Sequence, residues 1–154
     1  MGLERKPFYK NIYNLLINKV KTDPIILVED DTVILKYEGH KKITFQICFW
    51  LNESRISCFL DAIEIADVYI ERIEQSEEFK LFIEALLSNV VEITYFKKGE
   101  NIYRKHLYYY GIKNGKEKKF MDRFIYKFRF PWIQLKETRE SFKPWICATS
   151  NNAL

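Results

Sequence analysis

At 154 residues, 47% hydrophobic and 30% charged, the chain has the make-up of one folded globular domain and not of a disordered tract. A domain of this length buries a core without disulfides or structural metals. Five glycines leave little material for phosphate-cradling loops, and a net charge of only +4 is modest for a nucleic-acid-binding chain. Cys48, Cys58 and Cys147 are an odd number without metal-ligand spacing, which points to a reducing, cytoplasmic setting with no cofactor. No stretch approaches the roughly 20 apolar residues of a membrane span. Lys6 stands where a myristoylation signal after Gly2 wants Ser or Thr, so no membrane partner is expected.

In chain order, Pro7 to Lys21 carries Phe8, Ile12, Leu15, Leu16 and Val20 near helical spacing, and Asp23-Pro24 stops it. Ile25–Val28 is a short apolar run. Thr32–Glu38, Lys42–Leu51 and Arg55–Leu60 alternate apolar and polar residues, with turns at Glu29-Asp30-Asp31, Gly39-His40 and Asn52-Glu53-Ser54, as an antiparallel meander does. Ala62, Ile65, Ala66, Tyr69, Ile70 and Ile73 then trace a helical face opposite Glu64, Asp67, Glu71 and Glu74. Ser76 is a candidate N-cap for a second helix, with Phe79, Phe82, Ile83, Leu86, Leu87 and Val90 as its buried stripe. The two make a central acidic helix pair.

Strands follow at Val90–Phe96 and Ile102–Ile112, and Asn114-Gly115 is a strong hairpin signal. The segment after it suits a helix or a strand. Alternation of Phe124, Tyr126, Phe128 and Phe130 with Arg123, Lys127 and Arg129 favours a strand from Asp122 onward, stopped by Pro131. Leu135–Phe142 is expected to form a short helix. The predicted fold is α+β: one antiparallel sheet of six or seven strands with an N-terminal helix and the acidic helix pair, a single domain over 1–146, and a flexible tail over 147–154.

Function is concentrated in Tyr95–Phe130, which holds eleven Lys/Arg, three acids and eleven Phe/Tyr, a charge of +8 against −4 for the rest. The candidate contacts are Lys97, Lys98, Arg104, Lys105, Lys113, Lys116, Lys118, Lys119, Arg123, Lys127 and Arg129. Alternating aromatics belong mostly to a core, so at least half of these rings are expected to face inward. The leading expectation is a non-catalytic module for a protein partner, of the immunity or inhibitor type that neutralises a toxin or enzyme by covering it with a charged, aromatic surface. The alternative is an RNA- or DNA-binding module using the same stretch.

Catalytic patterns are sparse. His40 falls in a turn and His106 in a strand, neither in a local metal or triad motif. Asp67, Glu71 and Glu74 lie one turn apart on the predicted acidic face, without a His or Asn at ligand spacing. Asn101-Ile102-Tyr103 followed by Tyr108-Tyr109-Tyr110-Gly111 resembles the paired strand motifs of GIY-YIG endonucleases, and that resemblance implies Arg123 as a catalytic arginine on a helix and Glu137 as a metal ligand. Asn101 stands in place of the motif's glycine, and Arg123 sits in a strand pattern, so a non-catalytic protein is expected.

Overall fold

The computed structural model describes residues 2–39 and 43–146, so the turn at His40, Cys147 and the tail over 147–154 lie outside the described residues. A 3-10 turn at Leu3–Arg5 leads into α1 (Pro7–Lys19), followed by β1 (Ile25–Glu29), β2 (Thr32–Gly39), β3 (Ile43–Trp50), β4 (Arg55–Leu60) and β5 (Ile63–Tyr69). Then come α2 (Ile73–Ser88), β6 (Val91–Lys98), β7 (Asn101–Lys113), β8 (Lys116–Ile125) and β9 (Lys136–Phe142). The α+β class holds. The single sheet does not: the strands form two antiparallel sheets, ordered β1-β2-β3-β4-β5 and β8-β7-β6-β9. The chain divides into two compact units, Met1–Leu81 with Trp145–Leu154 and Phe82–Pro144.

In the first unit the alternation of the meander fixes the pairing. Val33 faces Phe49, Leu35 faces Ile47 and Tyr37 faces Phe45, while Ile47 and Phe49 meet Cys58 and Ile56 on the other side. All of these side chains are completely buried on one face, so a one-residue slip would turn the whole set to solvent. α1 buries Tyr9, Ile12 and Leu16; Phe8 and Leu15 are half-buried. The Tyr9 ring lies 5.4 Å from Phe49. Its hydroxyl reaches the carbonyls of Trp50 at 2.8 Å and Arg55 at 3.1 Å, tying the helix across the β3–β4 turn. Burial pushes this phenol up to about 12. Tyr9→Phe is expected to cost about 1–2 kcal/mol, because two carbonyls lose their donor in a covered site; urea unfolding measures it.

The first member of the predicted acidic helix pair is strand β5. Asp61 and Ala62 adopt left-handed φ of 48° and 63°, a two-residue hairpin turn that returns the chain antiparallel to β4. The helical spacing was coincidental, because Ile63, Ile65 and Val68 suit an edge strand and its exposed acids protect that edge. Asp67 accepts a 2.8 Å hydrogen bond from Ser57 Oγ, which itself accepts one from Trp50 Nε1 at 3.1 Å. The second member starts at Ile73, not after a Ser76 cap. Gln75 Oε1 accepts from the backbone N–H groups of Glu71 and Arg72 at 2.9 and 3.0 Å, and Ser76 is buried one turn into the helix.

In the second unit β7 is the long central strand. Asn114 and Gly115 take positive φ, as the Asn-Gly signal requires, and β8 pairs continuously from Lys116 opposite Lys113 to Ile125 opposite Arg104. The strand preference for this segment is correct, but the strand begins before Asp122 and ends at Ile125. Lys136–Phe142 is a strand rather than the expected helix: it pairs with β6 from Val91–Phe142 to Lys97–Lys136. Local helix propensity of its Lys, Glu and Arg yields to hydrogen bonds that β6 would otherwise leave unmade.

Candidate functional site

The unit Phe82–Pro144 contains fourteen Lys/Arg and seven Asp/Glu, a charge of +7, and the remaining residues sum to −3. Pleating sorts its side chains onto two faces. Ile93, Leu107 and Tyr109 are buried on the inner face, where Gly111 lies against the Phe82 ring of α2. The outer face carries Phe96, Arg104, His106, Tyr108 and Tyr110, half-exposed, beside Lys119, Met121, Arg123 and Ile125, exposed on β8.

Cations and rings touch throughout this outer face. The Arg104 guanidinium lies 4.2 Å over Phe96, whose ring is 4.8 Å from His106. Lys119 Nζ sits 5.4 Å over Tyr108 and 3.1 Å from Glu92 Oε2. Burial, then the Arg104 and Arg123 guanidiniums, hold the His106 imidazole below the ordinary histidine value, with a smaller opposing pull from Glu137. The unfolded chain takes up this proton more readily, so stability from this group falls as pH drops below about 6.5 toward the depressed value. A polyanion on the outer face reverses the local repulsion. An NMR titration of His106 is expected to show its pKa rising when such a ligand is bound.

The eleven predicted contacts do not converge on one patch. Lys97 and Lys98 stand at the β6–β7 hairpin, whereas Lys113, Lys116 and Lys118 stand at the β7–β8 hairpin; along a thirteen-residue strand the two tips are roughly 40 Å apart. Arg104, Lys119 and Arg123 lie on the face between them. Lys105 departs from the expected set: it is 5% exposed on the inner face, with its Nζ 5.6 Å from the Tyr126 ring. At the Lys97 end, Arg104, Lys127 and Arg129 join Tyr103, Ile125, Phe128 and Leu135 around a pocket of about 140 Å³. Lys127 is held there by a 2.8 Å hydrogen bond to Asn101 Oδ1.

The largest departure concerns the rings. Phe124, near the end of β8, is exposed, and once the chain leaves that strand Phe128 and Trp132 are 81% and 77% exposed, with Tyr126 and Phe130 exposed as well. The expectation that at least half of the alternating aromatics face inward fails for this segment. Phe128 meets Phe130 edge-on at 5.9 Å, and Phe130 stacks on Trp132 at 4.9 Å and 11°. Trp132 lay outside the stretch singled out from sequence. No local signal separates it from Trp145, which also follows a proline and is 5% exposed.

Among the described residues no three His, Cys, Asp or Glu side chains group as metal ligands. Cys48 and Cys58 are buried free thiols, and burial raises both, which keeps them protonated at neutral pH. Arg123 lies on β8 opposite His106, where the endonuclease resemblance wants a helix, and Glu137 lies on β9 opposite Phe96. Among the described residues no helix is long and apolar enough to cross a membrane. No family model matches the chain, and neither a curated protein nor a solved structure shows significant similarity to it.

Proposed function

We propose that the chain is a non-catalytic binding module whose second unit binds single-stranded nucleic acid. The observation that carries this reading is the exposed segment Phe124–Trp132, in which rings alternate with Lys127 and Arg129 beside a cationic sheet face. Exposed rings stack on unpaired bases at roughly 1–3 kcal/mol per base, and the cations neutralise phosphates. Lysine is depleted at protein interfaces. Here Lys97, Lys98, Lys113, Lys116 and Lys118 are exposed or half-exposed at the hairpins, and no ion pair with an acid engages them among the described residues. The test is titration with an oligothymidylate at 50 and 200 mM salt. Four phosphate contacts predict a loss of roughly fiftyfold across that range. Absence of binding at the lower salt ends this reading.

The expected protein-docking function is the second reading, and the contiguity of Phe128, Phe130 and Trp132 with Arg129 favours it, because aromatic residues and Arg dominate interface hot spots. An immunity or inhibitor protein would use such a patch to cover an acidic site on a toxin or enzyme. Purification at native level from its own host is then expected to recover a stoichiometric protein partner. Recovery of the free chain alone counts against it.

A further inference from the structure

Resting on the nucleic-acid reading, we propose that the pocket formed by Arg104, Lys127 and Arg129 seats the terminal phosphoryl group of a strand whose next bases lie on Phe128, Phe130 and Trp132. Three observations converge on this. The residues lining the pocket include three cations and no acid. Asn101, the side chain that holds Lys127, is neutral and leaves that charge uncompensated. A terminal phosphate monoester carries about −1.5 to −2 charges, against −1 for an internal phosphodiester or a carboxylate, so the site matches a chain end better than a chain interior.

The second observation is an arginine without a carboxylate. The Arg104 guanidinium lies 4.2 Å over the Phe96 ring, and no hydrogen bond or ion pair engages it among the described residues. A planar guanidinium presents parallel N–H groups that match two phosphate oxygens. Tyr103, Ile125, Phe128 and Leu135 supply the apolar part of the lining.

The third observation is size and continuity. A pocket of about 140 Å³ falls below the roughly 300–1,000 Å³ that enclose a whole small molecule, so it suits one phosphoryl group with the remainder of the ligand outside. Phe128 belongs both to the pocket wall and to the ring series that runs on through Phe130 to Trp132. The phosphate seat and the stacking platform are thus joined through one side chain.

The experiment compares three hexathymidylates, with a 5′-phosphate, a 3′-phosphate or neither, at 150 mM salt, read by quenching of tryptophan emission and by fluorescence polarisation. One phosphorylated end is expected to bind about tenfold more tightly than the unphosphorylated strand. That ratio is expected to fall to one in R104Q and in R129Q, at an exposed position, and to recover in part in R104K. Equal binding of all three strands overturns the pocket assignment and leaves the nucleic-acid reading intact. Binding of none overturns both. If a phosphotyrosine peptide gains as much as the phosphorylated strand, the source of the phosphoryl group is a protein and the assignment to nucleic acid is wrong.

Discussion

Replacing Lys97, Lys98, Lys118 and Lys119 together with glutamate is expected to abolish binding of single-stranded nucleic acid at low salt. The change takes the second unit from +7 to −1 and reverses the sign at both hairpin ends of β7. Four lost phosphate contacts, followed by repulsion from four new carboxylates, predict a loss of more than about a hundredfold at 50 mM salt. The fold should survive. Among the described residues only Lys119 of the four has an ion pair, with Glu92 at 3.1 Å, and both partners are about 45% exposed, so that pair contributes less than about 1 kcal/mol. Unchanged far-ultraviolet circular dichroism checks this. The paired variants separate the two ends. Lys97 and Lys98 share their end with Arg104, Lys127 and Arg129, so their reversal is expected to cost more than that of Lys118 and Lys119. Undiminished affinity in the quadruple variant would falsify the electrostatic account.

Gly111→Val is expected to destabilise the second unit strongly, and more than a substitution at any other described glycine of that unit. A β-carbon at this position would lie 2.8 and 2.9 Å from the Phe82 ring and 3.0 Å from Phe120, all well inside van der Waals contact. Both rings are anchored, Phe82 on α2 and Phe120 on β8 beside Tyr109, whose ring stacks on it at 5.8 Å. Overpacking of this kind costs about 1–3 kcal/mol, and valine adds two methyl groups beyond the first clash. For a chain of this length that corresponds to a fall in Tm of roughly 10 °C at the upper end. Gly99→Ala is the contrasting case. Nothing lies within 4 Å of its would-be side chain, and only its φ of +60° disfavours alanine, so a smaller loss of about 1 kcal/mol is expected. A Gly111→Val protein as stable as the parent would show that α2 does not pack on β7 as described.

The meander in the first unit was legible because one face of each strand is buried. Tyr37, Phe45 and Ile56 alternate with polar neighbours for that reason, and only one register keeps them all inside. Asn114-Gly115 was equally legible, since its positive φ values are a local requirement. Local pattern failed where two structures satisfied the same spacing. Ile65, Ala66 and Tyr69 fit a helix face and a half-exposed edge strand alike, and the turn at Asp61-Ala62 decided between them.

By itself, the sequence determined the α+β class, α1, the pairing of β2 to β4 and the concentration of positive charge after Tyr95, because each depends on side-chain period or charge within a short window. Tertiary structure decided the division into two sheets, the strand at Lys136–Phe142, the burial of Lys105 and the exposure of Phe128, Phe130 and Trp132. Those outcomes depend on which backbone edge a segment finds. β6 had an unpaired edge for Lys136–Phe142 to complete, and the pairing of β8 with β7 ends at Ile125, which leaves the rings beyond it without a neighbouring strand.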